Sequence, residues 1–61
     1  MNEPELSIGA IFVDVKPPRR EWRIARRDGN SLVLERVDKP TVLRFLAPAE
    51  LRDPLRYARK A

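Results

Sequence analysis

The chain predicts a small, mainly β fold: a curled antiparallel meander of roughly four to five strands, with one short helical turn near the C-terminus. Three observations carry that reading. "IGAIFVDV", "EWRIAR", "SLVLER" and "TVLRFL" are short runs, β-branched and aromatic or alternating in hydropathy. Turn chemistry separates them, at Pro17-Pro18, at Asp28-Gly29 and at Asp38-Lys39-Pro40. Two independent turn assignments then bring the apolar residues of three strands onto one face.

Residues 1–7, "MNEPELS", have no periodicity and are expected to fray, which leaves residues 8–61 as a single small β domain. Residues 8–15 read as the first strand. Its apolar groups fall on both faces, so either both sides are covered or the strand bends at Gly9. Lys16 to Arg20 form a loop stiffened by two prolines. In "EWRIAR", Trp22 and Ile24 share one face, and Glu21, Arg23 and Ala25 the other. A three-residue loop, Arg27-Asp28-Gly29 with Gly29 left-handed, sets Ile24 opposite Leu32 and Trp22 opposite Leu34. A loop over residues 37–40 sets Leu32 opposite Phe45 and Leu34 opposite Leu43. The expected core face is therefore Trp22, Ile24, Leu32, Leu34, Leu43 and Phe45. A slip of one residue in either hairpin would turn one strand's apolar set to water. On the outer face Glu21 meets Glu35, mildly unfavourably, with Arg23 and Arg44 diagonal to Glu35.

Pro48 suits the first turn of a helix ending at Leu51 or Arg52. Beyond it two continuations stand open. Asp53 and Pro54 can start a further helical turn over residues 54–60, or Leu55 and Tyr57 can alternate with Arg56 and Ala58 in a closing strand. With the strand, the order of elements resembles an SH3-like small barrel, which is the expected architecture; the resemblance extends to element order only.

Sixty-one residues make one domain at most and bury only about 60% of the surface of the unfolded chain. The chain has no cysteine and no histidine, which excludes disulfides and thiolate or imidazole metal sites. The hydroxyl nucleophiles Ser7, Ser31, Thr41 and Tyr57 have no imidazole base, and Lys16, Lys39 and Lys60 sit in loops or at the terminus. Glu21 and Glu35, the one carboxylate pair of this register, lie on an exposed face without a cleft. Gly9 and Gly29 cannot build a phosphate-cradling loop. The expectation is a non-enzyme with no cofactor and no metal. No apolar run approaches the roughly 20 residues of a membrane span, and the N-terminus is acidic where a secretory signal is basic. A soluble cytoplasmic protein without a membrane partner is expected.

Charge is unevenly placed. Residues 1–15 carry three acids and no base, whereas residues 16–61 carry all 13 bases against six acids. "RREWRIARRDGN", residues 19–30, sets five arginines around the only tryptophan. Alternation sends Trp22 inward as a core anchor; the competing reading makes it a stacking platform for a base. The register pairs Arg20 with Arg36 at the rim of the core face, puts Arg23 and Arg44 outside, and leaves Arg26 and Arg27 at a hairpin tip. The leading expectation is a binding module that contacts nucleic acid phosphates through Arg20, Arg23, Arg36 and Arg44, with Arg26 and Arg27 secondary. Trp22 and Tyr57 would add stacking. The alternative is a protein-interaction or regulatory module that turns the same arginines to an acidic protein partner, or forms a homodimer. In that case the exposed strip is Val33, Val42 and Leu46 on the outer face. The plain reading of such a charge run is a solvated face.

Overall fold

The structure, a computed structural model, describes residues 6–60. In chain order the elements are β1 (Ile11–Asp14), β2 (Glu21–Asp28), β3 (Ser31–Arg36), β4 (Lys39–Leu46), α1 (Pro48–Leu51) and β5 (Tyr57–Arg59). All five strands are antiparallel neighbours in one sheet of order β4-β3-β2-β1-β5. The mainly β class and the single short helical piece are as expected. The sheet is open, with β4 and β5 as its two edges, so no closed barrel forms.

Fraying was expected over residues 1–7, of which residues 1–5 lie outside the described residues; Leu6 is buried in the core. A turn allows this. The Ala10 N–H donates to the Ser7 carbonyl at 3.0 Å while Gly9 holds φ +98°, the arrangement of a type II turn with glycine at its third position. Chain reversal there lets Leu6 fold onto the sheet, so the glycine acts as the bend that an apolar strand of two faces required.

The hairpin between β2 and β3 corrects the expected register. Asp28 pairs with Ser31, enclosing a two-residue turn, Gly29-Asn30, with Gly29 at φ +63°. Glycine at the first central position marks a type II′ turn. That turn alone would continue Arg27↔Leu32 and Arg26↔Val33 into Ala25↔Leu34, turning Ile24 and Trp22 outward. A β-bulge between Ile24 and Arg26 restores the faces, so that Ile24 meets Leu34, Arg23 meets Glu35 and Trp22 meets Arg36. Ile24 therefore does not face Leu32, Trp22 does not face Leu34, and Arg20 does not pair with Arg36. The feared Glu21–Glu35 opposition is replaced by an Arg23–Glu35 pair. The total displacement is two residues, and two residues preserve the pleat.

At β4 the displacement is odd, and the strand turns over. Leu32 pairs with Leu46, Val33 with Phe45, Leu34 with Arg44 and Glu35 with Leu43. The turn is tight, with Arg36 opposite Lys39, and an irregularity follows in which residues 40–42 have no partner on β3. Pro40 lacks an N–H, and an edge strand at an irregular step tolerates that. Leu43 and Phe45, expected in the core, are consequently exposed. Leu46, expected outside, is buried in the core, and Val42 packs against it. Arg44, expected outside, points to the core side.

The core joins Leu6, Phe12, Trp22, Ile24, Leu32, Leu34, Leu46, Leu51 and Tyr57. Val33 is also buried, although alternation puts it on the opposite face, between Arg26 and Phe45 in the register. Leu51 is the buried residue of α1, which begins at Pro48 as expected. After α1 the chain takes the strand option. Asp53 accepts backbone hydrogen bonds from Arg56 and Tyr57, and β5 then runs along β1 with Asp14 opposite Tyr57. Tyr57 is buried, while Leu55 is 78% exposed.

Candidate binding surfaces

At the open side of the sheet, three strands converge on one guanidinium. Asp14 ends β1 on the same face as Phe12, Trp22 lies on β2, Arg44 on β4 and Tyr57 on β5. Arg44 Nη1 donates to Asp14 Oδ1 at 3.0 Å and to the Tyr57 hydroxyl at 2.8 Å. Its Cζ stands 4.0 Å from the Trp22 ring centroid, a cation–π distance. Trp22 Nε1 in turn donates to Asp14 Oδ2 at 3.1 Å. Both carboxylate oxygens of Asp14 are thereby engaged. Desolvation acts against the charged guanidinium. The hydrogen bond to the Tyr57 hydroxyl and the carboxylate of Asp14 outweigh it and raise the group above its ordinary value. Arg44 stays cationic, and its side chains bridge the two sheet edges that backbone pairing leaves apart.

This network corrects two expectations. Arg44 is held on the core side of the sheet against Asp14, Tyr57 and Trp22, not on the outer face. Trp22 is 3% exposed with Arg44 across its ring, so it offers no open face to a base. Tyr57 lines an open cleft of about 840 Å³ together with Lys16, Pro17, Pro18, Arg44 and Leu55. The signal for this site was Asp14 itself, a lone carboxylate in the apolar run "IFVDV". An acid on the face of a buried phenylalanine needs a cationic or donor partner from another strand.

The remaining arginines are sorted by their acids. Arg36 Nε donates to Asp38 Oδ1 at 2.7 Å, and Arg20 lies 3.7 Å from Asp38 Oδ2. The two therefore meet at the rim as expected, but across an aspartate rather than across the ladder. The hydrogen bond from Arg36 holds the Asp38 carboxyl below its ordinary value. Arg23 contacts Glu35 through Nε and Nη2 at 3.0 and 2.8 Å. Arg27 Nη2 donates to the Leu6 carbonyl at 3.1 Å, tying the hairpin tip to the N-terminal segment. Arg26 has no ion pair among the described residues. Four of the six arginines expected to hold phosphate are thus already paired with carboxylates.

The outer face carries a different apolar strip from the one expected. Val33 and Leu46 are buried and Val42 packs against the core, so none forms an exposed strip. The exposed pair is Leu43 and Phe45, 47% and 57% accessible, two residues apart on edge strand β4. Phe45 lies in the same cross-strand row as Val33 and Arg26. Among the described residues no three His, Cys, Asp or Glu side chains cluster as a metal site, and no helix is long and apolar enough to cross a membrane. No family model matches the chain, and neither comparison with curated proteins nor comparison with solved structures finds a match.

Proposed function

We infer that the protein is a small non-enzymatic interaction module that docks a partner protein on the outer side of β4. The observation that carries this reading is the exposed pair Leu43 and Phe45 on an edge strand. A phenylalanine more than half exposed beside an exposed leucine forms the kind of apolar patch that suits protein contact. Edge strand β4 also has one side of its backbone unpaired, and an extended segment of a partner can extend the sheet there. Charge argues for an acidic partner. Among the described residues every acid but Asp28 stands in an ion pair, while seven bases, Lys16, Arg19, Arg26, Arg27, Lys39, Arg52 and Arg59, have none. That surplus would repel a second copy of the chain. The architecture is read as an open relative of the SH3-like barrel, on its strand order and on the short helix before β5.

The same surplus supports the second reading, contact with nucleic acid phosphates through arginines without an acidic partner, Arg26 first among them. The two readings separate cleanly. Capture of a partner that survives nuclease and is lost in Leu43→Asp/Phe45→Asp supports protein docking. Capture lost on nuclease treatment but kept by that variant supports nucleic acid. In the latter case oligonucleotide affinity falls steeply with salt, by roughly one unit of log–log slope per phosphate contact.

A further inference from the structure

The cleft beside Arg44 lies on the other side of the sheet from Leu43 and Phe45, although both surfaces border edge strand β4. A guanidinium has five N–H donors in a rigid planar fork. In Arg44 the Nη1 hydrogens go to Asp14 and Tyr57, and the ring of Trp22 covers one face of the group. The Nε and Nη2 edge has no partner among the described residues, and the side chain remains 36% exposed. That edge is the one that receives a carboxylate bidentately. Because three other residues already hold the group, little rotamer freedom remains to be lost on binding.

The surroundings suit one kind of ligand. The Tyr57 hydroxyl accepts from Arg44, which leaves its own proton for a further acceptor. Lys16 at the rim has no ion pair among the described residues and adds a second cation. Pro17, Pro18 and the highly exposed Leu55 form an apolar lip around these donors. Asp14, Asp53 and a third cation, Arg56, 3.5 Å from Asp53, also border the cleft, and three cations against two carboxylates suit a single carboxylate better than a dianionic phosphate. The cleft takes one residue from each edge strand, Arg44 of β4 and Tyr57 of β5, and the unpaired edges of those strands suit an extended main chain better than a small acid. We propose that this cleft binds an extended peptide segment of a partner protein, in which a glutamate or aspartate side chain docks on the Nε/Nη2 edge of Arg44 and a neighbouring apolar side chain packs on Pro17, Pro18 and Leu55.

The test is an NMR titration of the full chain with a capped peptide of alternating leucine and glutamate, and with its glutamine counterpart. The glutamate peptide should give saturable shifts at the Trp22 indole N–H, at Arg44 Nε–H and at the Lys16 amide, and the glutamine peptide should bind at least tenfold more weakly. Arg44→Gln is informative only if it folds, so Lys16→Gln and Leu55→Ser serve as variants remote from the core. Each should weaken the glutamate peptide at least threefold. Leu43→Asp/Phe45→Asp should bind it unchanged, which separates this cleft from the outer surface. Equal binding of both peptides, no shifts at millimolar peptide, or shifts confined to β4's outer face would overturn the proposal. So would equal affinity for phenylacetate, which would make the site one for small acids, or displacement of the peptide by a short oligonucleotide, which would make it one for phosphates.

Discussion

Strands β2 and β4 flank the same strand, β3, and both depart from simple hairpin pairing through an irregularity, yet only β4 changes which residues are buried. In β2 the tight Gly29-Asn30 turn and the bulge at Ala25 displace the register by two residues, and Trp22 and Ile24 still face Leu34's side. In β4 the displacement is one residue, and Leu43 and Phe45 go to solvent while Arg44 and Leu46 come in. The difference teaches that the parity of a slip decides the faces, and that its size matters little. Both candidate surfaces follow from the odd slip. It exposes the apolar pair outside and delivers the guanidinium to Asp14, Trp22 and Tyr57 inside.

The comparison can be broken at several points. Leu34→Ala and Leu46→Ala each remove a buried side chain and should cost about 2–5 kcal/mol, enough to unfold most of a domain this small. Phe45→Ala, on the exposed side, should stay within about 0.5 kcal/mol. Urea denaturation distinguishes the two, and a larger loss at Phe45 than at Leu46 would mean that β4 is oriented the other way.

Gly29→Val should cost at least about 1–2 kcal/mol, because a β-branched residue is forced to positive φ. Nothing lies within 4 Å of a Cβ at that position, so the loss is one of backbone conformation. Gly29→Asn, which tolerates the left-handed region better, should recover part of it.

Deleting Ala25 sharpens the case for the bulge. The extra residue has no partner on β3, so its removal leaves Ile24↔Leu34 and Arg26↔Val33 adjacent in a regular ladder. The fold should survive, with a change well below that of a core truncation. Under a bulge-free register the same deletion would turn Trp22 and Ile24 to water and unfold the protein.

The smallest effect is expected at Asp38. Its folded-state carboxyl is depressed by Arg36, so the pair stabilises the fold above the ordinary carboxylate range of about 3.9 and loses that contribution as pH falls through the depressed value. Asp38→Asn should flatten the acid limb of a stability–pH profile slightly and leave the neutral range almost unchanged, since the group is exposed.

These contrasts also mark what was legible in the sequence. The faces of β2 and β3 could be read because two apolar residues share one side of each strand, Trp22 and Ile24 in β2 and Leu32 and Leu34 in β3, against the single Val33 on the other side of β3. In β4 Val42 and Leu46 balance Leu43 and Phe45, so alternation has no preference, and Arg44 becomes the deciding residue. Read as a surface charge it turns the strand the wrong way. A long aliphatic stem carrying a guanidinium that finds a carboxylate, a phenol and an indole can face inward at a rim. The gathering of Arg20 and Arg36 was visible as a rim pair, whereas Asp38 as the group between them was not, because turn residues follow no facing rule. The strand at residues 57–59 was one of two open options, settled by pairing with β1 that local sequence does not encode.

Everything distinctive in the two surfaces depends on which way β4 faces. The most direct measurement is therefore the set of cross-strand nuclear Overhauser contacts between the backbones of β3 and β4. Contacts joining Leu34 to Arg44 and Leu32 to Leu46 are expected, with Trp22 ring protons close to the Arg44 side chain. Contacts joining Leu34 to Leu43 and Leu32 to Phe45 would contradict the account, returning Arg44 to solvent and dissolving both surfaces.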